Sequence, residues 1–387
     1  MKILGIETSC DETALAIIEA TGTQLAPAFT VLGTALFSQI DIHRAFGGVF
    51  PAVAKREHAE RFVPLLSELL ATCKQQETVP FDASNVDWEN IETLLAREPA
   101  LFAKLKAYVE THEKPLIDMI AVTSGPGLEP ALWVGINAAR ALSLIWNIPM
   151  LPINHMEGHI VSVLLEAQAQ TFPMLALLIS GGHTELVSIE SWGHYTKIGM
   201  TRDDAIGEAY DKVARMMGLP YPGGPEIARL AEVARTNNVQ DETIALPRPM
   251  INTNDFDFSL SGLKTAVLYK VQALEKIAPL TELQMQALAR EFEQAVTDVI
   301  VAKTTRALEA TRAHALIVGG GVIANTYIRS ALQNIGTSLD LPVFFPTQAL
   351  STDNAIMIAI AGYVSQFDRT PSIAPEIRAQ GNLSLER

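Results

Sequence analysis

Cysteine is nearly missing from this chain: Cys10 and Cys73 are the only two in 387 residues. Two cannot build a disulfide framework, and such sparing use fits a reducing compartment. Positive charge is also in short supply. Lysine and arginine number 29 against 43 acids, a formal net charge of −14, which argues against a surface that grips nucleic acid throughout, since phosphate neutralisation supplies most of that binding. A local basic patch, or a partner that brings one, stays compatible. No apolar run approaches the ~20 residues of a membrane span, and Met1-Lys2 leads too soon into Ile-Leu-Gly-Ile-Glu for a secretory signal. The expectation is a cytoplasmic protein with no membrane partner. Hydrophobic residues at 48% and charged residues at 19% suffice for buried cores, and the length suggests two or three domains.

Three familiar chemistries are absent as well. His155-Met-Glu-Gly-His159 places its acid two positions after the first His, whereas zinc proteases carry Glu directly after it, so a protease mechanism loses its general base. Lys264 lies outside any Walker loop, because the glycine spacing is wrong. Gly319-x-Gly321-x-x-Ala324 matches the first half of a dinucleotide fingerprint, but no acid ends the following strand; Asp340 precedes Pro342-Val-Phe-Phe345.

What remains is a pair of imidazoles four residues apart. On a helix, His155 and His159 share a face and can bind one divalent metal; the bland alternative satisfies one ring with a carbonyl and solvates the other. Ile148-Pro-Met-Leu-Pro-Ile153 reads as a strand, which sets the pair where a strand gives way to a helix, a common place for α/β sites. Ser351-Thr-Asp-Asn354 precedes an apolar helix, so Asp353 is either its N-cap or the acid that completes a two-His-one-carboxylate set.

Two strand–polar tip–strand patterns recur about half a chain apart. The first joins Lys2–Glu7 to Thr13–Ile18 through a tip bearing Thr8, Ser9, Asp11 and Glu12; the second joins Met174–Ile179 to Glu185–Ile189 through Ser180-Gly-Gly-His-Thr184. Such tips offer hydroxyls and backbone amides to a phosphate, and the repetition suggests an internal duplication around a nucleotide-type ligand. Between them a helix begins near Pro51, with Val53, His58, Phe62, Leu65 and Leu69 at helical spacing; Lys55, Arg56 and His58 are assigned to the surface. The polar stretch from Cys73 to Lys114 reads as an insertion or lid. Further along, Asp211 precedes the loop Tyr221-Pro-Gly-Gly-Pro225 and is a candidate partner for a ligand hydroxyl or amine; Asn325 is a hydrogen-bonding candidate beside the glycines at 319–321.

Collinear motifs from residue 1 to about 365 then carry a resemblance: Gly5-Ile-Glu-Thr-Ser-Cys-Asp-Glu-Thr13, Gly47-Gly-Val with His43 ahead of it, Ser124-Gly-Pro-Gly-Leu128, Asn154-His-Met-Glu-Gly-His159, Ser180-Gly-Gly-His-Thr184, Tyr221-Pro-Gly-Gly-Pro225, Phe258-Ser-Leu-Ser-Gly-Leu-Lys-Thr265, Gly319-Gly-Gly-Val322 and Ser351-Thr-Asp-Asn354. Together they resemble the universal tRNA N6-adenosine threonylcarbamoyltransferases, once described as glycoproteases. The sequence departs from that pattern in the long 73–114 stretch and in Glu129-Pro130, where small or apolar residues are usual.

The resemblance implies an actin-like, sugar-kinase-like α/β fold of two lobes, each a mixed sheet flanked by helices, with the ligand in the cleft. The lobes would be 1–153, with the insertion at about 73–114, and 154–353, while 354–387 returns a helix to the first lobe and ends in a tail. It further implies transfer of a threonylcarbamoyl group from threonylcarbamoyl-AMP to N6 of adenosine 37 in tRNAs reading codons that start with A. One divalent metal, Fe2+ or Zn2+, would sit on His155, His159 and Asp353, and Leu178, Ile179, Ser180, Gly181, Gly182, Asp211, Gly224 and Asn325 would contact the nucleotide substrate. Asp11, or Glu12 beside it, would take the proton shed by the attacking amine. Partners implied are tRNA and, in bacteria, an inactive paralogue and a small ATPase, or elsewhere a kinase-containing assembly. An actin-fold small-molecule kinase would leave the His pair idle, and a non-catalytic scaffold paralogue would have no use for the three metal candidates.

Overall fold

The computed structural model describes residues 1–73, 77–166, 171–347 and 350–386. By compactness the chain divides into two units, one of Met1–Gln170 with Thr352–Leu385, the other of Thr171–Ser351.

The first unit opens with strands β1 (Lys2–Glu7), β2 (Glu12–Thr23) and β3 (Ala26–Ser38), a meander whose first turn is the polar tip read from the sequence. After α1 (Ile40–Arg44) and α2 (Pro51–Thr72) come β4 (Thr78–Val79), α3 (Trp88–Leu94), α4 (Pro99–Thr111) and β5 (Lys114–Pro115). Then follow β6 (Met119–Gly125), α5 (Glu129–Trp146), β7 (Met150–Asn154) and α6 (His155–Val161). The main sheet has the order β3-β2-β1-β6-β7, antiparallel across the meander and parallel from β1 to β7. Ile3, Leu4 and Ile6 of central β1 are fully buried, as a strand covered on both faces requires.

The second unit repeats this plan. Strands β8 (Met174–Ile179), β9 (Thr184–Ser191) and β10 (His194–Met200) form the meander, followed by α7 (Ile206–Met216), α8 (Gly223–Thr236), α9 (Ser261–Glu275) and α10 (Glu282–Thr311). After β11 (Leu316–Gly319), α11 (Thr326–Leu339) and β12 (Val343–Phe344), the sheet order is β10-β9-β8-β11-β12 with the same senses. Two mixed sheets of identical strand order, each flanked by helices, make the duplication suggested by the two hairpins visible in full. α12 (Ala355–Ser365) belongs to the first unit and packs on β1, β2 and β6.

Compactness sets the first unit's limit after residue 170, later than the 153/154 limit read from the sequence, because α6 packs on α12. Much of the insertion is folded onto the first unit. Of the 73–114 stretch, residues 74–76 lie outside the described residues; in the rest, Ile91, Leu95, Leu101, Leu105, Tyr108 and Val109 join the core formed by α2 and α5. Pro130 occupies the first turn of α5, where the missing N–H has no intrahelical partner to lose, so Glu129-Pro130 starts a helix without strain.

Two glycines decide how closely elements approach. A Cβ on Gly5 would stand 2.1 Å from the carbonyl oxygen of Ala355, so only glycine lets the start of α12 sit on β1. Gly320, at φ 93°, lies against Ile179, where a Cβ would come within 2.5 Å of the carbonyl oxygen. No helix among the described residues is long and apolar enough to cross a membrane.

Candidate metal centre and nucleotide loops

β7 ends at Asn154, and its side chain caps α6 by accepting from the backbone N–H groups of Met156 (2.9 Å) and Glu157 (3.4 Å). The cap fixes the first turn of α6 and so the directions of His155 and His159, whose ring centroids are 4.7 Å apart. Asp353, just ahead of α12, faces both: its Oδ1 is 3.4 Å from Nε2 of His155 and 3.3 Å from Nε2 of His159. One ligand atom from each of the three lies within 4.8 Å of the others. Asn354, and not Asp353, is the N-cap of α12, accepting from Met357 N–H at 3.0 Å. The carboxylate of Asp353 is therefore left for the two rings.

Behind His155 stands Glu7, the last residue of β1, which the sequence reading gave no role. Its fully buried carboxylate lies 3.0 Å from His155 Nδ1 and accepts from Ser9 N–H (2.5 Å) and Thr123 Oγ1 (2.6 Å). A carboxylate only accepts, so Nδ1 donates to Glu7, and without a cation Nε2 likewise donates to Asp353; Nε2 is the nitrogen that would give up its proton to bind a metal. Burial alone would depress the pKa of His155, but Asp353 and Glu7 on either side raise it well above the usual histidine value. Asp353 is likewise held well below the carboxylate range by the imidazoles, against the opposing effect of burial. Apart from its approach to Asp353, Nε2 of His159 is buried without a hydrogen-bond partner among the described residues. Two imidazole nitrogens and one carboxylate, one nitrogen otherwise orphaned, fit a divalent cation, which would replace a proton between the groups. Glu157 points elsewhere, its Oε1 accepting from Ser365 Oγ at 3.3 Å.

Asp11 ends the turn between β1 and β2, and Glu12 is the first residue of β2. Glu12 Oε1 accepts from Ser38 Oγ at 3.1 Å. Burial first, then the charges of Asp11 and Asp353, push its carboxyl up to about 9, which favours its protonated form. His58, assigned to the surface from sequence, is fully buried. It donates from Nε2 to the carbonyl of Cys10 (3.0 Å) and accepts at Nδ1 from Thr13 Oγ1 (2.7 Å). Its position in the apolar stripe of α2 was the signal that could have told. Lys55 and Arg56 are partly exposed, as expected.

In the second unit the nucleotide-loop candidates fall into three places. Leu178 and Ile179 are buried at the end of β8, leaving backbone groups and the following turn for a ligand. In that turn Ser180 Oγ accepts from His183 N–H at 3.1 Å, while Gly181 and Gly182 are exposed and a Cβ on either would meet nothing within 4 Å. Gly207, in the first turn of α7, donates its N–H to the carbonyl of Ser180 at 3.2 Å, so a helix N-terminus adjoins the turn. Gly320 closes on the same turn. Asp211 accepts from Gly223 N–H (2.7 Å) at the start of α8, where burial raises its pKa against that bond, and Gly224 faces open space. Asn325 caps α11 through Tyr327 and Ile328 N–H and donates to Glu293, so its side chain already has structural work.

The family model described as tRNA N6-adenosine threonylcarbamoyltransferase matches residues 30–78 and 101–360. The chain belongs to this family. It is 43% identical over 377 residues to the tRNA N6-adenosine threonylcarbamoyltransferase of Burkholderia mallei (strain ATCC 23344), covering 97% of this chain and 94% of that one. The enzyme of the same name from Burkholderia ambifaria (strain MC40-6) is 42% identical over 365 residues, covering 94% and 91%. Among solved structures, full-length HypF in its phosphate- and nucleotide-bound form is 11% identical with a TM-score of 0.49 over 71% of this chain and 43% of that one, too distant to bear on function. Within the threonylcarbamoyltransferase family, the unmatched 79–100 falls inside the stretch that the sequence marked as an insertion.

Proposed function

We propose that the chain transfers a threonylcarbamoyl group from threonylcarbamoyl-AMP to N6 of adenosine 37 in tRNAs that read codons starting with A. Family membership over nearly the whole chain supports the reaction class. The observation that carries the site is the convergence of His155, His159 and Asp353, with His159 Nε2 buried and otherwise unpartnered.

In this reading those three residues hold Fe2+ or Zn2+, which when bound supplies a Lewis acid for charge developing on the donor. The donor is a mixed anhydride. N6 of adenine attacks its carbonyl carbon, the bond from that carbon to the phosphate oxygen breaks, and AMP leaves with the electron pair. The amine sheds one proton, for which Asp11 is the acceptor; Glu12, whose protonated form is favoured, is a hydrogen-bond donor beside it. Leu178, Ile179, Ser180, Gly181 and Gly182 bind the donor through backbone amides, helped by the N-terminus of α7, with Asp211, Gly224 and Asn325 as further contacts. The tRNA reaches the protein through its single-stranded loop, where a base can be splayed out without breaking a duplex. In this reading the protein works in the cytoplasm in a hetero-oligomeric assembly, and in a bacterium its partners are an inactive paralogue and a small ATPase.

The test is direct: purified protein, synthetic threonylcarbamoyl-AMP and unmodified tRNA, with and without such partners, and mass spectrometry of the nucleosides. His155→Ala and Asp353→Ala should abolish transfer while the protein stays folded. Full activity in both would remove the metal from the mechanism, and no modified nucleoside from the wild type under any condition would remove the reaction.

A further inference from the structure

Phe46 and Phe50 are large apolar side chains left in the open, 58% and 52% exposed, on the loop between α1 and α2. Their rings stack on each other, centroids 5.8 Å apart at 22°. Exposed phenyls are common singly; a stacked pair on a glycine turn is not how a soluble chain disposes of apolar surface.

The loop is held from beneath. Phe46 N–H donates to the carbonyl of buried His43 at 2.9 Å, and Phe50 N–H donates to His43 Nδ1 at 3.3 Å. With Nδ1 accepting, His43 must donate from Nε2, and Gln39 Oε1 receives it at 3.2 Å. Gln39 Nε2 lies 3.4 Å from Nδ1 of His58, sharing that nitrogen with the closer Thr13 Oγ1 (2.7 Å), and His58 Nε2 is 3.0 Å from the carbonyl of Cys10. The end groups fix every direction: an amide N–H at Phe50 can only donate and a carbonyl at Cys10 can only accept. A single buried relay thus runs from the aromatic loop through His43, Gln39 and His58 to the turn that carries Ser9 and Asp11. A direct bond from Gln39 N–H to the carbonyl of Asp11 (2.9 Å) secures the same register.

We propose that Phe46 and Phe50 form a stacking platform for a base of the tRNA's single-stranded loop, kept in register with the reacting turn by this relay. The inference rests on the tRNA reading above and adds where the RNA is received. Every base has a π-face, so an unpaired loop is the nucleic-acid feature such a platform suits, and a duplex offers it nothing. Arg44 and Arg56, both more than half exposed, flank the pair in sequence and form exposed ion pairs with Asp41 and Glu57 on their own helices. Exposed pairs of this kind are worth little and can be traded for phosphate contacts, which gives an acidic chain local positive charge.

The experiment uses an anticodon stem–loop RNA carrying 2-aminopurine in its loop, whose fluorescence is quenched on stacking, beside the transfer assay with full tRNA. Phe46→Leu and Phe50→Leu keep the apolar volume and remove the ring; Phe46→Tyr and Phe50→Tyr keep the ring. Wild-type protein should quench the probe, each Leu variant should bind the RNA at least about 5-fold more weakly with less quenching, each Tyr variant should bind as wild type does, and a fully paired RNA should not compete. Unchanged metal content in the Leu variants shows that the site beneath is intact. Equal binding and quenching by wild type and Leu variants overturns the platform, as does a Leu phenotype confined to association with a protein partner. If wild type forms the modified nucleoside while the Leu variants bind RNA equally, the platform alone fails; if wild type forms none, the reading of the reaction fails, and the quenching data still decide the platform.

Discussion

The carboxylate of Glu7 lies 3.0 Å from Nδ1 of His155, on the side of the ring opposite Asp353. Glu7 is therefore a positioning residue: it sets the tautomer that presents Nε2, and it raises the basicity of that nitrogen. Glu7→Gln keeps the size but leaves one acceptor oxygen where Ser9 N–H and Thr123 Oγ1 each use one, and it removes the charge. Metal affinity, measured by competition with a chromophoric chelator, should fall by about 10-fold or more, in a protein that still unfolds cooperatively. Unaltered affinity would reduce Glu7 to a structural anchor.

Asp353 and its neighbour Asn354 separate cleanly by role. Asn354→Ala removes the cap of α12 and should cost about 1 kcal/mol in urea denaturation, with metal affinity reduced only as far as the helix start loosens. Asp353→Asn should abolish metal binding, and because it removes the carboxylate paired with two buried imidazoles it should also lower the urea midpoint of the metal-free protein. Metal binding kept in Asp353→Asn and lost in Asn354→Ala would break the three-residue set.

Burial lowers the pKa of His58 to about 4, from 6.5 in the unfolded chain. Between those values the unfolded chain takes up a proton that the folded one refuses, so stability rises with pH across this window. The contribution is complete above pH 6.5 and is lost as pH falls toward 4, on the order of 3 kcal/mol in all. Chemical denaturation at a series of pH values should show this slope, and His58→Gln should flatten it. An equal slope in the variant would assign it to other groups.

Gly5→Ala tests how the site is assembled. The added methyl would lie 2.1 Å from the carbonyl oxygen of Ala355 and 3.0 Å from the Cβ of Ala359, so α12 must retreat and carry Asp353 with it. Stability should drop by about 1–3 kcal/mol, and metal affinity should drop too, although Gly5 touches no ligand. Loss of stability with metal binding intact would mean that Asp353 is held independently of α12.

The sequence by itself determined whatever depends on near neighbours and on ancestry. Short apolar runs on either side of a polar tip marked both hairpins, helical spacing put His155 and His159 on one face, and the succession of motifs identified the family; each signal is carried within a few residues, so periodicity and turn chemistry suffice to read it. Tertiary structure alone decided which distant groups meet. Asp353 reaches the histidines because α12 lies on Gly5, Glu7 reaches His155 because β1 and β7 are in register through β6, and His58 is buried because the turn from β1 to β2 folds over α2. In each case the partner is set by sheet register and close packing between segments far apart in the chain, which no local pattern encodes. The same limit leaves Asp353 with two readings in the sequence: Ser351-Thr-Asp-Asn354 offers several oxygen caps in a row, and only the approach of two imidazoles reserves Asp353 for them and leaves the helix to Asn354.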